Sequence, residues 1–174
     1  MTSKRFVFSV GLAAALAACS GTSIQPEPIT TTVVILRHAE KAADSDDPGL
    51  TEAGRIRAES IANRFCRDGL RAAHATQYQR TQQTAEPCAR VAGRSVQVTT
   101  LSKDFEADAK ALRATILAAP GGKVLVVGHS NTVPILVNAF TGVVVAPIGE
   151  QEYDRWFEVT LDADGQGRLV ETRY

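Results

Sequence analysis

Thr32-Val33-Val34-Ile35-Leu36 leads directly into Arg37-His38-Ala39-Glu40-Lys41, and Lys123-Val124-Leu125-Val126-Val127 leads directly into Gly128-His129-Ser130-Asn131. Each leading run is almost wholly aliphatic, without the polar alternation of a half-exposed strand. That is the pattern of a strand buried on both faces of a sheet. Around these two runs the rest of the chain alternates. A polar loop with Asp44, Asp46, Asp47, Pro48 and Gly49 precedes a helix capped by Thr51 and reaching about residue 65. A weaker strand over 72–76 and a helix over 81–91 come next, then a short strand over 96–99 and a helix over 106–118 closed by Pro120-Gly121-Gly122. A helix over 131–140 follows the second aliphatic run, and Asp164-Gly165-Gln166-Gly167 joins strands over 156–161 and 168–172 as a hairpin. Trp156 and Phe157 are assigned to the core. Alternating strands and helices predict a three-layer α/β/α sandwich with a largely parallel central sheet.

The remaining N-terminal sequence reads as an address. Lys4 and Arg5 precede the apolar run Phe6–Ala18, which is too short for the roughly 30 Å of a bilayer core and suits a signal peptide. It ends in Leu16-Ala17-Ala18-Cys19, which resembles a bacterial lipobox. That resemblance implies cleavage before Cys19 and acylation of Cys19, with several acyl chains giving a stable anchor. Ser20 in place of Asp then implies sorting to the outer membrane, facing the periplasm. The expected division is a signal at 1–18, a lipidated tether at 19–31 and one domain at 32–174. In an oxidising compartment Cys66 and Cys88 form an even pair, either a disulfide or two buried thiols.

The 174 residues carry 19 Lys+Arg and 19 Asp+Glu, so no basic field points to nucleic acid. Only 6% are aromatic, which argues against a base-stacking surface. Hydrophobic residues at 44% exclude a disordered or collagen-like chain.

Ligands of open α/β sheets gather beyond the carboxyl ends of the strands. His38 and His129 each lie two residues past an aliphatic run. Gln77-Tyr78-Gln79-Arg80-Thr81 brings a further cation to a strand–helix junction. Two imidazoles and two guanidiniums at one sheet edge suit a phosphoryl group, which needs a neutral nitrogen to attack phosphorus and fixed cations around its oxygens. The planar guanidinium matches phosphate oxygens and keeps its charge. Helix N-termini after Arg80 and His129 can add backbone donors. His74, by contrast, reads as a satisfied polar residue, Asn131 as a helix N-cap, and Glu40 with Lys41 as a solvated or rim pair.

At these positions the chain resembles the histidine phosphatase superfamily, with its phosphoglycerate-mutase-like fold. The Arg-His-Gly signature appears as Arg37-His38-Ala39, continuing to Glu40-Lys41 as in an Arg-His-Ala-Glu-Lys subgroup. Leu-Thr-x-x-Gly appears as Leu50-Thr51-Glu52-Ala53-Gly54, Arg-x-x-Gln-Thr-Ala as Arg80 to Ala85, and the second histidine motif as Gly128-His129. The resemblance implies that His38 becomes a phosphohistidine which water then hydrolyses, while Arg37, Arg80 and His129 hold the transferring group. It implies no metal and no cofactor, with a small phosphorylated substrate as partner. The general acid is open among Glu106, Asp104, Glu40 and Asp47, with Glu106 placed first.

Other readings fare less well. The Gly128-His129-Ser130-Asn131-Thr132 segment resembles half of an esterase nucleophile elbow, but Thr132 replaces its last Gly and no histidine follows His129. Gly122-Lys123-Val124 does not complete a P-loop, and Gly165-x-Gly167 has Val170 for its third Gly, so neither nucleotide motif is present. Asp162 and Asp164 suggest a calcium loop, but Arg173 stands at its bidentate position. A non-catalytic phosphate-binding module and a phosphomutase remain as alternatives on the same fold.

Overall fold

A computed structural model describes residues 29–43 and 45–174. The signal, Cys19 and the tether up to residue 28 lie outside the described residues. Six strands form one sheet, β1 (Thr31–Arg37), β2 (Leu70–Thr76), β3 (Val96–Thr99), β4 (Gly122–Gly128), β5 (Arg155–Leu161) and β6 (Gly167–Arg173), in the order β3-β2-β4-β1-β5-β6. The first four in that order are parallel. β5 pairs antiparallel with β1, and β6 antiparallel with β5, as the expected hairpin.

The aliphatic runs hold the centre of the sheet, and Val33, Val34, Ile35 and Leu36 are all fully buried. Successive side chains point to opposite faces. Val33 and Ile35 pack with α3 (Phe105–Leu117) and α4 (Thr132–Thr141), while Val34 and Leu36 pack with α1 (Glu52–Ile61) and α2 (Gln79–Val91). Each such side chain contributes about 1.5–3 kcal/mol by leaving water. Phe157 joins the first cluster and Trp156 the second, so both are core.

Local signals hold at most boundaries. Thr51 accepts from Gly54 N at 3.1 Å and caps α1. A Cβ on Gly54 would run into the backbone oxygen of Glu40, so the glycine lets this helix seat against the loop after β1. The first helix stops short of residue 65. It gives way to a π-helical turn, Ala62–Cys66, at the point where Cys66 is disulfide-bonded to Cys88 of α2, with 5.2 Å between their Cα atoms. Of the two alternatives for this pair, the bridge is the one adopted.

Candidate active site

β1 and β4 run side by side in register, with Arg37 opposite Gly128, and the pairing continues one step as His38 N donates to Gly128 O at 2.9 Å. His38 and His129 therefore emerge together at the carboxyl edge, their ring centroids 5.4 Å apart. Gly128 is required here, since a Cβ would sit 2.8 Å from Thr132 Oγ1. That same hydroxyl accepts from His129 N at 2.9 Å and ties the histidine to the start of α4.

His38 Nδ1 lies 2.7 Å from Ala39 O. A carbonyl only accepts, so Nδ1 carries the proton and Nε2 keeps its lone pair. Burial, aided by the charges of Arg37, Arg80 and Lys41, pushes this imidazole down to about 4 against the smaller opposing effect of the Ala39 bond. His129 falls to about 3, again through burial and then through Arg80, His38 and Arg37. Both rings are neutral at pH 7.

The arginines are held in different ways. Arg37 Nη1 donates to three backbone carbonyls of the loop before β5, Gly149 O at 2.7 Å, Glu150 O at 2.8 Å and Glu152 O at 3.2 Å. Its guanidinium lies 4.3 Å over the Tyr153 ring. Arg80, in the first turn of α2, lies 4.4 Å over the Tyr78 ring and 3.5 Å from Asp47. The Nε of each is buried and finds no acceptor among the described residues. The guanidinium groups of both can donate to an oxyanion.

Arg37, His38, Arg80 and His129 all line one cavity of about 670 Å³. The proposed acids are placed differently. Glu40 reaches the lining, but Arg57 holds its carboxylate at 2.7 and 3.0 Å and pulls its pKa down. Glu40 and Lys41 both reach the cavity rim, and the ion-pair partner of Glu40 is Arg57. Asp47 accepts from Gln79 N at 3.1 Å, and Asp104 caps α3 by accepting from Ala107 N at 2.9 Å. Glu106 is exposed in the first turn of α3 and is not among the lining residues.

Asn131 occupies the N-cap position of α4, as expected, but makes no capping side-chain bond and lines the cavity; the N–H groups of Thr132 and Val133 go to His129 O, and Pro134 has none to offer. His74 is buried in β2, pushed down to about 4 by burial, and borders a separate apolar cavity with Leu112 and Leu136. Sequence reading missed Tyr78, Glu150 and Tyr153 on the walls. Tyr78 adjoins the second arginine motif and was within reach; nothing local marks the other two. Among the described residues, no group of three or more His, Cys, Asp and Glu side chains is arranged to hold a metal.

The solved structures similar to this chain share its fold. Protein histidine phosphatase SixA, complexed with tungstate, is 23% identical with a TM-score of 0.65, over 82% of this chain and 96% of that one. A mycobacterial glucosyl-3-phosphoglycerate phosphatase is 16% identical with a TM-score of 0.66, over 83% and 98%. A phosphoserine phosphatase from Entamoeba histolytica, in complex with 3-phosphoglyceric acid, is 12% identical with a TM-score of 0.64, over 83% and 97%. No curated protein matches the chain. A family model described as the histidine phosphatase superfamily (branch 1) matches residues 33–106, the stretch that carries Arg37, His38 and Arg80.

Proposed function

We propose that this protein is a phosphomonoester phosphatase of the histidine phosphatase superfamily, working without a metal through a phosphohistidine on His38. The observation that carries the reading is the meeting of a neutral His38, its Nε2 lone pair free, with a buried Arg37, a half-buried Arg80 and a second imidazole in one cavity. His38 Nε2 attacks phosphorus, the P–N bond forms, and the bond to the leaving oxygen breaks. Arg37, Arg80 and His129 balance the charge on the transferring oxygens. Water then attacks phosphorus, the P–N bond breaks, and phosphate leaves with His38 restored.

The leaving oxygen takes a proton from a carboxylic acid. Glu106 was the first choice from chain order. Glu150, at the cavity wall with its backbone carbonyl on Arg37, is the better placed of the two. Exposed residues around the cavity, among them Lys41, Ser102 and Gln151, leave the site open to water, which favours hydrolysis over phosphate retention by a mutase. The similar structures named above for phosphatases support this chemistry and leave the substrate class open. We further propose lipidation at Cys19 and a periplasm-facing outer-membrane location; the Cys66–Cys88 bridge, which belongs to oxidising compartments, supports export.

The purified domain is expected to hydrolyse an aryl phosphate in the presence of EDTA and to accumulate acid-labile phosphate. Complete loss of turnover with the chelator, or label that persists in His38→Ala, rejects the mechanism.

A further inference from the structure

The second histidine is wired to the protein by a chain of hydroxyls that fixes the tautomer of its neutral ring. Thr81 Oγ1 lies 2.8 Å from Tyr78 O and 3.1 Å from Thr76 O. Carbonyls only accept, so the single Thr81 hydroxyl proton goes to one of them. The contact of 2.9 Å between Thr76 Oγ1 and Thr81 Oγ1 is then carried by the Thr76 proton. With that proton committed, Thr76 Oγ1 can only accept from His129 Nε2, 2.9 Å away. The neutral His129 ring is therefore Nε2–H, and its Nδ1 presents a lone pair, with no hydrogen-bond partner among the described residues.

A dianion brought against that lone pair is repelled unless Nδ1 gains a proton. We propose that Thr76 is a positioning residue which locks His129 in this tautomer, so that the site binds a tetrahedral dianion together with one proton, taken up on His129 Nδ1. This inference rests on the anion site of the proposed phosphatase. The groups facing His129 set the balance: Arg37 and His38 from the end of β1, Tyr78 and Arg80 from the start of α2, and Asp47 from the first loop. Burial, and after it the arginines, keep the free ring neutral. A bound dianion offsets their charge, and the ring then accepts its proton.

Sulfate is the probe, because it stays a dianion across the working range while phosphate titrates. Titration calorimetry near pH 7, in buffers of different ionisation enthalpy, counts the protons taken up. Wild type is expected to take up about one proton per sulfate, with affinity falling about tenfold per pH unit on the alkaline side. Thr76→Ser should keep that uptake, and His129→Gln should lose it. Thr76→Val frees the ring to adopt the Nδ1–H tautomer, so uptake drops below about half a proton and the pH slope flattens. Thr81→Ala releases the Thr76 proton toward Nε2 and should do the same, a second route if Thr76→Val does not fold.

No sulfate binding or no uptake by wild type, uptake surviving in His129→Gln, or full uptake in a folded Thr76→Val overturns the proposal. Proton-coupled sulfate binding in a protein that hydrolyses no aryl phosphate would leave it standing and remove the phosphatase reading instead.

Discussion

His38 and His129 occupy matching places beyond neighbouring parallel strands, and both are neutral, yet each commits a different nitrogen to the protein. His38 gives Nδ1–H to the carbonyl of the next residue, Ala39, while His129 uses Nε2 on Thr76, a hydroxyl from another strand. One partner is local backbone and the other is tertiary. The consequence is a difference in what each ring leaves open: Nε2 at His38, and at His129 an Nδ1 that meets an oxygen only after taking up a proton. The arginines differ in the same spirit. Arg37 is gripped by backbone carbonyls and makes no ion pair among the described residues, whereas Arg80 has Asp47 at 3.5 Å.

The largest effect should come from breaking the pair at its nucleophilic half. His38→Ala is expected to lower kcat by at least about 10⁴-fold and to abolish the phosphoenzyme, measured by single-turnover labelling. His129→Ala should cost less, about 10²–10³-fold, with labelling slowed but still detectable, because it stabilises charge and forms no bond. Equal losses in the two variants would dissolve the difference between the rings.

Glu150→Gln and Glu106→Gln test the proton donor. If Glu150 serves, its variant should lose about 10²-fold or more on alkyl phosphates and little on activated aryl phosphates, while Glu106→Gln changes neither. The opposite pattern would return the role to Glu106. The disulfide stands apart from the chemistry. Cys66→Ala with Cys88→Ala should lower stability by about 2–4 kcal/mol in denaturant unfolding and leave kcat nearly unchanged.

The last expected effect is on stability with pH. Burial depresses His38, His74 and His129 below the ordinary histidine value, to about 4, 4 and 3. Between that range and about 6.5 the unfolded chain binds protons that the fold refuses. Stability is therefore expected to be full above about pH 6.5 and to decline as pH falls toward 4. A melting temperature that stayed flat across that window would show that these rings are not held neutral.

Most of the fold could be read from the residues because its signals are local. Unbroken aliphatic runs must be buried on both faces, Thr51 and Gly54 mark a helix entry, and Asp164-Gly165 turns a hairpin. The four residues that meet in the cavity were legible for a related reason: a strand in a parallel sheet delivers whatever follows it to one edge, so order along the chain became position in space. The misplacements come from distance along the chain. Glu40 finds its ion-pair partner in Arg57, Glu106 lies off the cavity, and the loop at 149–153 brings its carbonyls to Arg37. Chain order placed and oriented His38, since the carbonyl that sets its tautomer belongs to the adjacent residue. Packing alone set the state of the second histidine, because the hydroxyls that orient it reach the ring only when β2, α2 and β4 are assembled.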